Sequence, residues 1–191
     1  MHRMSNKFVE RAHRISDLLC SAHSAQRDRF RSRALLLDLL ILATTTWLTA
    51  MVFVDSKIGV RLTPFTWDKE LWIGILAILA FFLSLIQMKL DWKAIAEAHA
   101  RAVRLYFSVK IECSRLLDQE RQLTEEEILR VREHYSFACE NAIEIRDKEF
   151  LKLKKHHSRK VALSKYLDTH PNASIWFIMI KWWWRDNVSE R

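Results

Sequence analysis

The sequence contains few residues that interrupt helices. Its 191 residues include two glycines and two prolines, whereas a strand-rich fold would need many of both at its turns. Leucine, alanine, lysine, arginine and glutamate are abundant, and they favour long helices. The sequence therefore predicts an all-α chain of one compact module.

Several signatures of chemistry are also missing. The three cysteines, Cys20, Cys113 and Cys139, are widely spaced, and no C-x-x-C pair begins a zinc site or a redox motif. The sequence has no glycine-rich phosphate loop, no nucleophile elbow and no convincing cluster of metal ligands. We expect a protein that is not an enzyme and has no catalytic residues, metal or cofactor. Its cysteines should be reduced thiols, each a small buried residue of a helix.

Two long apolar runs stand out in this charged sequence. Residues 34–54 form a run of about 21 residues, which at about 1.5 Å per helical residue matches the hydrocarbon thickness of a bilayer. Residues 71–88 form a second, uncharged run of about 18 residues, with Trp72 and Trp92 at its ends as interfacial anchors. The first run follows a long charged stretch and is too extended for a cleaved signal core. The sequence thus predicts a membrane protein with a two-helix transmembrane unit at 34–88.

Basic residues near the ends of the two runs predict the orientation. They are concentrated before the first run and after the second, at Arg27, Arg29, Arg31, Arg33, Lys89, Lys93, Arg101 and Arg104. In the connecting loop, residues 55–70, the three basic residues Lys57, Arg61 and Lys69 are balanced by three acidic ones. Lysine and arginine favour the cytoplasmic side of a membrane. We therefore expect an outer loop at 55–70 and both termini in the cytoplasm.

The segment before the first run, residues 1–33, has the pattern of a basic amphipathic helix. Its apolar side chains recur at steps of three and four, at Phe8, Ala12, Ile15, Leu19 and Ala22. We expect this cytoplasmic helix to run straight into the membrane. Its apolar stripe could pack on the protein's own cytoplasmic domain or lie on anionic lipid.

Residues 89–170 are predicted to form a cytoplasmic helical hairpin. The helix of the second run should continue to about Leu117, and Thr124 with Glu127 forms a capping box that starts a return helix at about 125–166. Apolar seams run along both helices, at Ile95, Ala98, Ala102, Leu105 and Val109 and at Ile128, Val131, Tyr135, Ala138, Ala142 and Ile145. The seams could pair within one chain as an antiparallel hairpin, or between subunits as a coiled coil.

The last segment, residues 171–191, is rich in tryptophan. Residues 175–184 read IWFIMIKWWW, which is too short to cross a bilayer but is rich in aromatic and basic side chains. The return helix is long enough to bring this segment back to the membrane. We expect an interfacial anchor at Trp182, Trp183 and Trp184. Alternatively, these aromatic rings plug the base of the helical hairpin.

The arrangement resembles the SLATT family, two-transmembrane effector domains found beside nucleotide-second-messenger synthases and nucleotide sensors in prokaryotic conflict systems. The resemblance covers nearly the whole chain. It consists of the basic N-terminal helix, the two close spans, AHARAVRLYFSVKIECSRLL at 98–117 and EFLKLKKHHSRKVALSKYLDTHP at 149–171. It implies an antiviral effector of the prokaryotic inner membrane that forms a pore or disrupts the membrane, and so kills or arrests an infected cell. It also implies control by a nucleotide second messenger or by a nucleotide-synthase or sensor partner.

Polar residues within the apolar runs are the candidates for a pore lining. They are Asp38, Thr45 and Thr49 on one face of the first run, and Ser84 and Gln87 on one face of the second. In a homo-oligomer these faces could line a water-filled path. Alternatively, Asp38 reaches the interface or pairs with Arg31 or Arg33. The hydroxyl and amide groups could instead hydrogen-bond within their own helices or the bundle.

A basic stretch near the chain end is the candidate for contact with phosphate. It comprises Lys152, Lys154, Lys155, Arg159 and Lys160. These side chains could meet lipid phosphates or a phosphorylated messenger, or form a solvated helix face. His156 and His157 are adjacent, so they lack the i, i+4 spacing of a helical metal site.

These features favour a homo-oligomeric membrane effector that contacts anionic lipids and permeabilises the membrane under the control of another component. The alternative is a non-toxic, membrane-anchored coiled-coil scaffold or sensor that recruits a cytoplasmic partner. A nucleic-acid binder is a third possibility, which salt-sensitive binding by the C-terminal portion would reveal. We expect no nucleic-acid partner, because the net charge of +8 accompanies two long apolar runs and anionic lipid is the more fitting polyanion.

Overall fold

The structure, a computed structural model, describes residues 2–55, 59, 63–64, 68–119 and 121–188, with side chains described for all of these except 2–6 and 186–188. Most of the predicted outer loop, including Lys57 and Arg61, therefore lies outside the described residues. Among the described residues there are six long helices and no strand. The helices are α1 (His2–Phe53), α2 (Lys69–Leu90), α3 (Trp92–Leu117), α4 (Glu125–Asn141), α5 (Asp147–Thr169) and α6 (Ile175–Val188). The predicted all-α fold is confirmed.

Helix α1 is continuous over 52 residues and joins the basic N-terminal segment to the first apolar run. Because no glycine or proline occurs before Gly59, nothing in the sequence interrupts its backbone hydrogen bonding. Residues 34–53 of α1 pack against α2, and we call these two elements the apolar pair. The N-terminal half of α1, residues 7–33, packs against α3.

The contact between α1 and α3 is an antiparallel pairing of two heptad seams. On α1 the seam positions are Val9, Ala12, Ser16, Leu19, His23 and Gln26, all buried except Leu19, which is partly buried; the predicted Ala22 is also buried. On α3 the buried positions are Ala96, His99, Ala102, Tyr106, Val109, Cys113 and Leu116. Both sets are spaced by steps of three and four, which is the spacing of a coiled-coil seam.

At several positions the observed seam residue lies one position after the predicted one. Hydropathy selected Ile15, Ile95 and Leu105, whereas the structure buries Ser16, Ala96 and Tyr106 more completely. The difference arises because the seams also contain buried polar side chains, among them Ser16, His23 and His99, and hydropathy alone assigns such residues to the surface. The amphipathic stripe of α1 packs on the protein itself, which was one of the two predicted alternatives.

Helix α4 completes a three-helix body. Its predicted seam residues Ile128, Val131 and Ala138 are buried against both α1 and α3 in one core, which also contains Val9 and Val109. We call residues 7–33 of α1, together with α3 and α4, the polar body. The predicted two-helix hairpin therefore omitted α1, which is the main partner of α3.

The predicted helix from the second apolar run to Leu117 is interrupted at Asp91. This residue has φ 29° and ψ 52°, in the left-handed region that non-glycine residues rarely adopt, although aspartate tolerates it better than most. The Asp91 carboxylate accepts a hydrogen bond from the backbone N–H of Ala94 at 3.1 Å and so caps α3. One aspartate therefore ends α2 and starts α3.

The predicted single return helix at about 125–166 is wrong. Helix α4 ends at Asn141, Ala142 is extended with φ −82° and ψ 142°, and α5 begins five residues later at Asp147. Helix α5 starts beside Gln26 and runs antiparallel to α1, with His157 beside Asp17. It therefore leads away from the apolar pair, and α6 folds back along α5.

The predicted capping box at the start of α4 is confirmed. The Thr124 hydroxyl accepts from the Glu127 N–H at 3.3 Å, and the Glu127 carboxylate accepts from the Thr124 N–H at 2.9 Å. The Arg121 guanidinium also binds this carboxylate. The Arg121 contact, followed by the Thr124 N–H, lowers the pKa of Glu127 to about 2.

Replacing Thr124 with alanine removes the acceptor for the Glu127 N–H. We expect α4 to lose about 1 kcal/mol of stability, which is the usual effect of losing an N-cap side chain. Amide hydrogen exchange of the purified chain should become faster over residues 125–131. Ser136→Ala, which removes an exposed α4 hydroxyl bonded to Glu140, is the control and should leave that exchange unchanged. Equal exchange in Thr124→Ala and the wild type would mean that the cap does not stabilise α4.

Candidate functional site

The apolar pair is mostly exposed. Many large side chains face outward, among them Leu36 and Leu42 of α1 and Ile78 and Phe81 of α2. In each helix, 11 % of the most apolar 18-residue stretch is buried inside the protein. A core helix of a water-soluble domain would be mostly buried, whereas these two helices are long and apolar enough to cross a membrane.

The hydroxyl groups predicted to line a pore bond to their own helices. Thr45 donates to the carbonyl of Ile41 at 2.8 Å, Thr49 to that of Thr45 at 2.8 Å, and Ser84 to that of Ala80 at 2.9 Å. This was the alternative that the sequence left open. Each hydroxyl oxygen can still accept a hydrogen bond, so the lining role stays a prediction for these three residues.

Asp38 lies where the apolar pair meets the polar body. One of its carboxylate oxygens accepts from the Gln87 amide at 2.5 Å, and the other lies 2.8 Å from the Lys93 ammonium. These partners come from α2 and α3, on either side of the break at Asp91. Asp38 and Gln87, both predicted to line a pore, are thus brought together in one chain. The cationic partner is Lys93, and not Arg31 or Arg33 as one alternative had it.

A groove of about 420 Å³ opens beside this contact, between α1 and α3. Arg27, Arg31 and Lys93 supply three cations, and Asp38 and Glu97 supply two carboxylates. Small apolar side chains form its floor, including alanines from both helices. The groove therefore combines a net positive rim with an apolar floor at the boundary between the apolar pair and the polar body.

Two buried histidines join α1 to α3 next to this groove: His99 adjoins Ala100 of its lining, and His23 lies about one turn from Arg27. The Nδ1 atoms of His23 and His99 lie 2.9 Å apart, so one imidazole donates to the other. The side chains are 2 % and 4 % exposed, and their rings stack on Tyr106 and Phe30 respectively. Burial, followed by the neighbouring His99, lowers the pKa of His23 to about 4. Burial also lowers the pKa of His99, although the Glu149 carboxylate acts in the opposite direction.

Glu149 ties the start of α5 to the same region. Its carboxylate accepts from the Gln26 amide at 2.7 Å and from the Arg29 guanidinium at 3.2 Å. Further from the apolar pair, Asp17 lies 2.6 Å from the Lys110 ammonium and 3.7 Å from His157 of α5. Burial alone would raise the pKa of Asp17, but the hydrogen bond and charge of Lys110 lower it. Polar contacts thus connect α1 to both α3 and α5.

Sequence reasoning missed His23, His99, Gln26 and Glu149. The detectable signal was the heptad of α1, which continues through positions 16, 23 and 26 although their side chains are polar. Following the period through polar residues would have marked His23 and Gln26 as interface positions, and the α3 seam would have marked His99 in the same way. No local signal marks Glu149.

A serine, a histidine and a glutamate are aligned between α3 and α4. Ser108 Oγ lies 3.1 Å from His134 Nε2, and His134 Nδ1 lies 2.6 Å from Glu112. This is the order of a catalytic triad, but Ser108 lies within α3, where the backbone N–H groups are bonded inside the helix. An oxyanion hole needs free donors beside the nucleophile. We therefore interpret the three residues as a polar cross-link between the helices.

The predicted basic stretch and the tryptophan segment come together in the structure. Lys152, Lys155, Arg159 and Lys160 line grooves between α5 and α6, and Trp182 lies between these grooves. Lys154 is exposed elsewhere on α5. Trp183 and Trp184 are exposed, whereas Trp72 and Trp92 are half-buried near the two ends of the α2 apolar run. The anchoring roles of these tryptophans stay predictions.

The remaining expectations concern metals and cysteines. Within the described residues, no group of three or more histidine, cysteine, aspartate or glutamate side chains is placed to hold a metal ion. All three cysteines are free thiols. Burial raises the pKa of Cys20 and Cys113 to about 11. Cys139 is exposed, so the expectation that it is buried is wrong.

No protein-family model, curated protein or solved structure matches this chain. The resemblance to the SLATT family therefore stays a prediction from the sequence.

The histidine pair predicts a pH dependence of stability. The pKa of His23 falls from 6.5 in a model peptide to about 4 in the folded protein, so the unfolded chain binds more protons between these values. The contribution of His23 is therefore fully present above pH 6.5 and is lost as the pH falls towards 4, by at most about 3 kcal/mol. His99 acts in the same direction.

His23→Gln keeps a group that can hydrogen-bond to His99 but removes the titration of His23. Thermal unfolding of the purified chain should show a smaller loss of stability between pH 7 and pH 5 in this variant than in the wild type. His156→Gln, which changes an exposed histidine of α5, should keep the wild-type dependence. Identical pH profiles for His23→Gln and the wild type would contradict the assignment of a neutral buried pair.

Proposed function

We propose that this chain is an inner-membrane effector that crosses the bilayer twice and permeabilises it as a homo-oligomer. The observation that carries the membrane part is the exposure of the apolar pair. Moving one large apolar side chain out of water is worth about 2 kcal/mol, so the many outward-facing leucines, isoleucines and phenylalanines of these helices strongly favour lipid over water. Their backbone groups are satisfied within the helices, as a bilayer requires.

The arrangement of the helices supports an orientation with both ends on one side. The apolar pair continues at the same end into the N-terminal half of α1 and into α3, and these two pack together. Arg27, Arg31, Lys89 and Lys93 cluster at that end. By the positive-inside rule it faces the cytoplasm, and the segment between α1 and α2 lies on the outer side.

Assembly follows from the number of spans. Two helices packed against each other cannot enclose a water-filled path, so several copies are needed for a pore. Asp38 is placed to contribute charge at the cytoplasmic mouth, with Thr45 and Thr49 two and three turns further into the span. The contact of Asp38 with Lys93 couples this mouth to α3, so a change in the polar body can reach it.

The effector role rests on the resemblance to the SLATT family. The two quoted segments correspond to α3, which belongs to the polar body, and to α5, which contacts it. Residues 98–117 carry most of the α3 seam, and residues 149–171 cover nearly all of α5, including Glu149. We expect the trigger, a nucleotide second messenger or a nucleotide-synthase or sensor partner, to act on this polar body.

The second candidate function is a membrane-anchored scaffold. It is favoured by exposed apolar side chains on the outer surface of the polar body, namely Phe107 and Ile111 of α3 and Leu129 and Phe137 of α4. Phe107 and Ile111 are four residues apart and lie on one face, where a partner helix could pack. A scaffold should neither arrest growth nor collapse the membrane potential on overexpression, whereas an effector should do both.

Dye and ion release from vesicles tests the pore. The purified chain reconstituted into phosphatidylglycerol-containing vesicles should release a trapped dye. A triple variant, Asp38→Asn, Thr45→Val and Thr49→Val, should slow ion flux by about tenfold, equivalent to about 1.4 kcal/mol on the barrier, because the path loses its charge and hydroxyl groups.

Thr44→Val is the matched control. Thr44 makes the same backbone bond, to Leu40, but lies about 100° around the helix from Thr45. This variant should release dye like the wild type. If the triple variant keeps full flux and toxicity, the lining assignment is wrong. If the wild type releases nothing and does not arrest growth, the scaffold is favoured.

A further inference from the structure

The outer face of α6 is a continuous aromatic and apolar surface. At 100° per residue, Trp176, Phe177, Ile180, Trp183 and Trp184 fall within an arc of about 120°. All five are exposed, Trp176 and Phe177 to 67 % each. The opposite face of α6 is the packed one, because Ile178 is buried and Trp182 lies edge-on to Tyr166 of α5.

The basic residues of the same helix pair lie beside this surface. Residues 150–185 contain eight lysines and arginines and one acidic residue, Asp168. Lys152, Lys155, Arg159 and Lys160 share one side of α5 and line the grooves next to α6. Lys181 and Arg185 of α6 line the larger groove. Exposed tryptophans beside lysines and arginines have the composition of a surface that lies at the headgroup level of an anionic bilayer.

Helix α5 is attached to the polar body through polar contacts. Along α5, all of whose residues are described, no side chain is buried. Its polar contacts with α1 include the Glu149 hydrogen bonds to Gln26 and Arg29 and the longer approach of His157 to Asp17. Gln26 is buried, but Arg29, Glu149 and Asp17 are partly exposed, so these groups can exchange their contacts for water and hold α5 weakly compared with an apolar seam.

The attachment point lies close to the apolar pair. Gln26 and Arg29 precede residue 34 by five to eight residues, or about 8–12 Å along a helix. The extended link at 142–146 precedes α5 directly, and α5 itself, with 23 residues, is about 35 Å long. A rotation at this link would lay α5 and α6 along the surface of the bilayer that holds the apolar pair.

We propose that α5 and α6 form an arm that docks on the anionic surface of the membrane and is held against α1 by the Glu149 contacts when undocked. The occupant of the aromatic face of α6 is the lipid surface. This inference rests on the proposed function, because it needs the apolar pair to be in a bilayer. It assigns Glu149 as the residue that decides between the two positions of the arm.

Spin-label accessibility in nanodiscs tests the arm. The full chain, with its three cysteines replaced, carries one nitroxide at Ile180→Cys and, in a separate sample, at Leu42→Cys. In discs with phosphatidylglycerol, the label at 180 should be accessible to oxygen and protected from a water-soluble nickel complex. In discs of phosphatidylcholine alone it should be accessible to nickel. The label at 42 should be in lipid in both discs.

Further variants test the aromatic face of α6 and the Glu149 contacts separately. Trp176→Ser with Trp184→Ser should return the label at 180 to water in anionic discs, whereas Phe137→Ser, an exposed aromatic of α4, should not. Glu149→Lys should place the label in lipid at a lower phosphatidylglycerol content, because Arg29 now repels the start of α5.

The outcomes distinguish this proposal from the one on which it rests. A label at 180 in water in anionic discs, with the label at 42 in lipid, overturns the arm and leaves the two spans standing. Nickel access at both positions overturns the spans. A label at 180 in lipid in both kinds of disc overturns the requirement for anionic lipid. An unchanged lipid dependence in Glu149→Lys overturns the role of the Glu149 contacts in holding the undocked arm.

Discussion

A helix makes its backbone hydrogen bonds internally, so its side chains decide which environment it packs in. Helix α1 presents two different sets of side chains along one uninterrupted helix. Its first half packs into a helical body, and its second half turns leucines outward. Since no break separates the halves, a displacement of the body is transmitted to the apolar half. The proposed membrane placement, the control of an assembly and the position of the C-terminal arm all depend on this continuity.

The seam between α1 and α3 changes character along its length. Far from the apolar pair it is an apolar core that contains Val9, Val109 and Leu116 and is shared with α4. Near the apolar pair it contains His23, His99 and Gln26, whose burial is acceptable because each finds a polar partner. Hydrogen-bonded seams specify geometry more than they add stability, because a polar partner can be exchanged for water or another group. The end of the body nearest the apolar pair is therefore the part most suited to rearrangement.

Asp38 extends this polar end into the apolar pair. Its contacts with Gln87 and Lys93 join three helices around the break at Asp91, so α2 and α3 are linked to α1 on both sides of that break. Arg27, Arg31 and Glu97 complete the charged rim of the groove beside this contact, around its apolar floor. In the proposed function, this charged rim lies at the level of the lipid headgroups.

The helical class, the exposed apolar helices at the two apolar runs and the capping box could be predicted from the sequence, because each depends on local chemistry. Scarce glycine and proline predict helices, long apolar runs predict exposed apolar helices, and Thr124 with Glu127 caps α4 through neighbouring atoms. The buried histidines, the partners of Asp38 and the role of α1 as the main partner of α3 depend on contacts across 49–93 residues. The break at 142–146 contains no glycine or proline, so no local signal marked it.

Alkaline carbonate extraction of membranes from cells that express the chain distinguishes two bilayer-spanning helices from peripheral attachment, because it releases peripheral proteins and leaves bilayer-spanning ones in place. We expect the chain to stay in the membrane pellet and to need detergent for release. Recovery of the chain in the supernatant, monodisperse without detergent, would show that the apolar pair does not span a bilayer.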